Sequence, residues 1–193
     1  MPAWFGCRYA ARMKVSVYIA TSLDGFIARS DGALDWLDEA NATVPNDEDC
    51  GFQPFIESVD VLVMGRKTYE KVLSFGVWPY GSTRVIVLSS RPIEFPPEIP
   101  STVTNSSYPP RELYDRLSSE GVKHIYLDGG ATIHGFLAEG LVDEITITWI
   151  PVLIGEGRPL FGPLMNDVAL ELIESHSYDF GFVQSRYSVQ HHR

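Results

Sequence analysis

Apolar and polar positions along the chain change rhythm at regular intervals. "VSVYIA" (Val15 to Ala20) predicts a strand, and "VDVLVMG" (Val59 to Gly65) is nearly continuous, the pattern of a central strand buried on both faces. "RVIVLSS" and "KHIYLDG" repeat it further on. After two of these runs the spacing turns helical at once: "RKTYEKVLSF" follows Gly65, and "ATIHGFLAEG" follows Gly129-Gly130 and ends at Gly140. Pro109 and Pro110 are placed to open another helix, which Gly121 closes beyond Ser119. Asp47 to Ser58 predicts a helix with acidic residues in its first turn, and Asp35 to Ala40 a short helix or loop. The Pro-rich passage from Pro92 to Pro100 predicts a loop, with one edge strand near Thr102 to Thr104.

Beyond Leu141 the texture changes. "VDEITITWIPVLIG", "ALELIESHSY" and "FVQSRYSVQ" alternate apolar and polar residues, as half-buried antiparallel strands do. The expectation is therefore a three-layer α/β/α fold, its mixed sheet mostly parallel with antiparallel C-terminal strands. Residues 13–193 are expected to form one domain, and residues 1–12 a disordered extension or an overlong start before "MKVSVYIATSLDG".

Composition narrows the function. The hydrophobic fraction of 45% over 193 residues suffices for one well-buried domain. A net charge of −10 argues against general nucleic-acid binding, though not against a small anion held by local arginines and helix N-termini. Cys7 and Cys50 form no CxxC and no His/Cys cluster, so no metal is expected. A reducing cytoplasm and no membrane segment are the natural expectations.

Chemistry concentrates at strand ends. "VLVMGRKTYE", "VIVLSSRP" and "IYLDGGATIH" each run from a buried strand into small or hydroxyl residues. In an open α/β sheet, ligands bind beyond the carboxyl ends of the strands, where a helix N-terminus offers free N–H groups to a phosphate. Singly, these are also ordinary turn glycines and serines. "GEGRPLFG" imitates a dinucleotide fingerprint, but Leu160 stands where its third Gly belongs, and it reads as a loop between strands.

These three segments resemble the nucleotide-contacting segments of the dihydrofolate reductase superfamily. "VYIATSLDGFIA" with "VDEITITWIPVLIGEGRPLF" is similar to the branch named for the reductase domain of riboflavin biosynthesis. The resemblance implies a dihydrofolate-reductase-like fold and an NADPH-dependent reductase acting on a small conjugated heterocycle or carbonyl compound. The alternative is a non-catalytic NADP-binding protein of the same fold. By the same resemblance Gly65, Arg66 and Thr68 would lie along the pyrophosphate. Ser89, Ser90 and Arg91 would hold the adenosine side and its 2′-phosphate. Gly129, Gly130, Ala131 and Thr132 would form a second phosphate cradle, with a cis Gly129-Gly130 peptide. Ala20 and Ile27 match nicotinamide contacts.

Two carboxylates are candidate proton donors. Asp24 faces the substrate in the riboflavin-type branch, or is a turn residue beside Gly25; Asp35 lies near the substrate carboxylate of folate reductases. Trp36 and Trp78, with Tyr80, can line a planar-substrate pocket or belong to the core or a dimer interface. The Trp-x-x-Pro stretch of folate reductases is missing, and so is the zinc-deaminase signature often fused to the riboflavin enzymes. The resemblance also implies a homodimer paired through the C-terminal strands.

Overall fold

The structure is a computed structural model that describes residues 12–191. The expected extension before Met13 lies, apart from Arg12, outside the described residues. Ten strands and five helices follow in the order β1 (Lys14–Ser22), β2 (Phe26–Ala28), α1 (Asp35–Asn41), α2 (Phe52–Glu57), β3 (Val61–Gly65) and α3 (Arg66–Leu73). Next come β4 (Arg84–Leu88), β5 (Val103–Ser106), α4 (Pro110–Ser119), β6 (His124–Asp128) and α5 (Gly130–Ala138). The chain ends with β7 (Glu144–Ile150), β8 (Arg158–Pro159), β9 (Leu170–Ser177) and β10 (Val183–Val189).

Eight strands form one sheet in the order β5-β4-β3-β6-β1-β7-β10-β9. Its first five neighbour pairings, from β5 to β7, are parallel, and β10 and β9 close it antiparallel. This is the mixed sheet expected, of dihydrofolate-reductase-like form. β3 is central, and its residues Val61 to Met64 are at most 1% exposed, which explains the unbroken apolar run.

Three local expectations change. β7 is mostly buried, not half-buried, and only one of its two pairings is antiparallel: it joins β10 antiparallel but runs parallel to β1 from Ser16↔Glu144 to Ser22↔Ile150. The helix expected over Asp47–Ser58 begins only at Phe52. Asp49 turns its carboxylate onto the N–H groups of Gly51 and Gln53, and Cys50 and Gly51 both take positive φ. Acidic side chains bonding nearby backbone compete with a helical turn in this way. The third change is "GEGRPLFG", where Arg158–Pro159 pair with Phe26–Ala28 as a small second sheet beside the main one.

Candidate functional site

Parallel pairing brings three strand ends level. Met64 is opposite both Val87 and Asp128, and Gly65 is opposite Leu88, so the ends of β4, β3 and β6 form one rim. A cleft of about 880 Å³ opens above it. It is bounded by α3, by α5 and by the β2–β8 ribbon.

The N-termini of α3 and α5 face each other across this rim with no room to spare. The Thr68 hydroxyl fills the space over Gly129, and a Cβ at Gly65 would sit 3.3 Å from the Thr132 hydroxyl. A Cβ at Gly130 would lie 3.0 Å from the Pro159 carbonyl oxygen and 3.2 Å from Ile27 Cδ1. Gly129 also needs glycine for its backbone, with φ 88° and ψ 134°. No cis peptide occurs among the described residues, so the cis Gly129-Gly130 bond expected from the resemblance is a trans one here. The positive φ of Gly129 makes the strand-to-helix turn instead.

Of the sequence candidates, Ala20, Ile27, Gly65, Arg66, Thr68 and the run Gly129 to Thr132 line the cleft together. Ser89, Ser90 and Arg91 do not line it; they follow Leu88, which does, and Ser89 is tied to the Arg91 backbone. Asp24 lies outside too. Its carboxylate accepts from Ser22 Oγ at 2.6 Å, Gly155 N at 2.8 Å and Ile154 N at 3.3 Å, bonds that hold its pKa below the usual value. Asp35 is exposed and receives both arms of Arg29, at 2.7 and 2.8 Å, which likewise lower its pKa. Trp36 is buried against Ile150 and Phe182, and Trp78 packs on Tyr69 and Tyr80. Of that trio, only Tyr80 lines the cleft.

One carboxylate does reach the cleft. Asp128, the last residue of β6, lines the floor with Tyr80 and Tyr126. Burial pushes its pKa up to about 6, against a bond from the Gly129 N–H that lowers it. Burial, reinforced by the Asp128 charge, raises the Tyr80 phenol as well. The sequence carried the signal: an acid placed between a buried strand and a Gly pair, in "LDGG". Asp128 is the one acidic residue in the cleft lining, against Arg66, Lys67, Lys71 and Arg158. A cationic cleft on a chain of net charge −10 is a local departure from its surroundings.

No group of His, Cys, Asp and Glu suited to a metal is found among the described residues, and none of their helices is long and apolar enough to cross a membrane.

Residues 13–183 match the family model for the RibD C-terminal domain. The Bacillus subtilis protein YwjB is 38% identical over 162 residues, covering 82% of this chain and 88% of YwjB. A riboflavin biosynthesis protein from Shewanella, named putative in its crystal structure, superposes with a TM-score of 0.86 at 40% identity, covering 93% of this chain and all of that one. The riboflavin biosynthesis reductase Rib7 of Saccharomyces cerevisiae shares the fold at 14% identity, with a TM-score of 0.62 and coverage of 93% and 91%.

Proposed function

The chain belongs to the RibD C-terminal domain family, and on that premise we propose that it is an NADPH-dependent reductase of small conjugated heterocycles or carbonyl compounds. The observation that carries this reading is the meeting of the α3 and α5 N-termini at Gly129, where any Cβ would strike the Thr68 hydroxyl, with Gly65 and Gly130 tightly packed beside it. Each N-terminus presents unpaired N–H groups and a partial positive charge, and Arg66, Lys67 and Lys71 add full charges beside them. That is a fitting cradle for a dinucleotide's phosphates.

In this reading Gly65, Arg66, Thr68 and Gly129 to Thr132 hold the pyrophosphate, while Ala20 and Ile27 pack against the nicotinamide. Ser89, Ser90 and Arg91, exposed just past β4, meet the adenosine end. When bound, the cofactor supplies the hydride and leaves oxidised. Reduction of a conjugated C=N or C=O bond also needs one proton. Asp128 is the donor of this account: a carboxyl titrating near 6 is protonated often enough at neutral pH to give a proton and recover it from water. Tyr126 donates to the Tyr18 carbonyl at 3.0 Å and fixes the floor beside it.

Asp24 and Asp35 are engaged with loop amides and with Arg29, which favours the second reading, a cofactor-binding protein without turnover. A screen for loss of NADPH absorbance against folates, pyrimidine precursors of flavins and small conjugated carbonyls separates the two. Oxidation by one member supports the reductase; NADPH binding with no oxidation by any supports the silent binder.

The exposed strand β9 completes the proposal with a homodimer. Among the described residues it pairs on one side only, and it exposes Leu170, Leu172 and Ile173.

A further inference from the structure

Every described arginine but two, Arg91 and Arg158, has a carboxylate within ion-pair distance. Arg91 is exposed on a loop, where water serves it. Arg158 is half-buried in the cleft wall, and among the described residues its five N–H donors have no partner. A chain with 25 acidic residues could readily have paired it.

Its placement is specific. Arg158 and Pro159 are successive residues of an extended strand, so their side chains diverge. The Pro159 carbonyl packs over Gly130, whereas the Arg158 guanidinium lies against Gly32, in the turn after β2. A Cβ at Gly32 would fall 3.0 Å from both terminal nitrogens, and Gly32 holds φ 92°, so glycine there leaves the guanidinium its seat. Lys67 and Lys71 belong to α3, whereas Arg158 belongs to the β2–β8 ribbon, a sheet of its own. The cleft thus draws its cations from two separate elements, α3 and the ribbon.

We infer that Arg158 recognises an anionic group, carboxylate or phosphate, on the molecule that accepts the hydride. The inference rests on the reductase reading: the α3 and α5 N-termini take the cofactor's phosphates, and Arg158, on the ribbon wall, faces the second ligand. A planar guanidinium with free donors matches either anion through paired hydrogen bonds. The segment "GEGRPLFG" that imitated a phosphate-binding fingerprint therefore contributes a side chain, not a glycine loop.

The test titrates inorganic phosphate, benzoate and uncharged benzamide into the protein, with and without saturating NADPH, following the Gly32 amide by NMR. The expected result is saturable binding of at least one anion and none of benzamide. Arg158→Gln should weaken that binding by about tenfold or more, Arg158→Lys by less, and NADPH affinity should stay unchanged. Thermal melts establish that both variants fold. Undiminished anion binding by Arg158→Gln, equal binding of benzamide, or no anion binding by the parent protein overturns the inference. A parallel fall in NADPH affinity also overturns it, by assigning Arg158 to the cofactor. Should NADPH itself fail to bind, the reductase reading fails, while the titration without it still decides whether Arg158 is an anion site.

Discussion

The hydroxyl of Thr68 occupies the space that any side chain at Gly129 would need. One residue sits in the first turn of α3 and the other just before α5, so this contact locks two helix N-termini together over the cleft. Gly129→Ala therefore brings both a clash and a left-handed backbone, the latter alone costing roughly 1–3 kcal/mol. The expected outcome is a lower melting temperature together with NADPH affinity reduced at least tenfold. A variant that melts and binds like the parent would disprove the interlock.

Asp128→Asn should act in two directions at once. Burial raises the folded-state pKa of Asp128 from 3.8 to about 6, so its contribution to stability is intact below 3.8 and is lost as pH rises through 6. Removing the charge should thus stabilise the fold above pH 6, by at most about 3 kcal/mol, and leave it unchanged at low pH. Turnover with an accepted substrate should fall, and in the parent protein it should decline as pH rises through 6. Denaturant melts at several pH values, paired with a pH–rate profile, check both halves.

The sheet was legible because buried strands announce themselves: "VLVM", "VIVL" and "IYL" have no polar face, and the structure puts all three side by side. The glycines at the two helix starts were legible through their recurrence at successive strand ends, since each alone also reads as a turn glycine. Asp24 and Asp35 were harder. Their partners, the amides of Ile154 and Gly155 for one and the Arg29 guanidinium for the other, depend on loops whose paths no local pattern specifies. Trp36 and Trp78 illustrate the same limit, because an aromatic beside a loop packs inward or lines a pocket according to tertiary contacts alone. Arg158 reaches the cleft wall through the pairing of β2 with β8, which no local pattern in the sequence specifies.

Asp24 joins the turn after β1 to the loop after β7, and this makes it a positioning residue for the wall that carries Ile27 and Arg158. Hydrogen bonding lowers its pKa, so the latch should hold above 3.8 and open as pH falls through the depressed value. Asp24→Ala should speed hydrogen exchange at the Ile154 and Gly155 amides while NADPH affinity is retained. Unaltered exchange at these amides would show that the latch does not restrain the loop.

Leu172 is 55% exposed on β9, so a charge there should leave the single chain folded. Leu172→Lys should convert a homodimer into monomers by light scattering, with little change in the far-ultraviolet circular dichroism. A parent protein that is already monomeric would remove the β9 dimer from the account.

The most direct measurement is a fluorescence titration with NADPH and NADH of the parent protein, Arg91→Ala and Gly130→Val. The expected result is saturable binding with NADPH preferred, a narrower preference in Arg91→Ala, and no binding by a folded Gly130→Val, whose branched side chain would meet the Pro159 carbonyl and Ile27. Absence of NADPH binding by the parent, or undiminished binding by Gly130→Val, would contradict the assignment of this cleft to the cofactor.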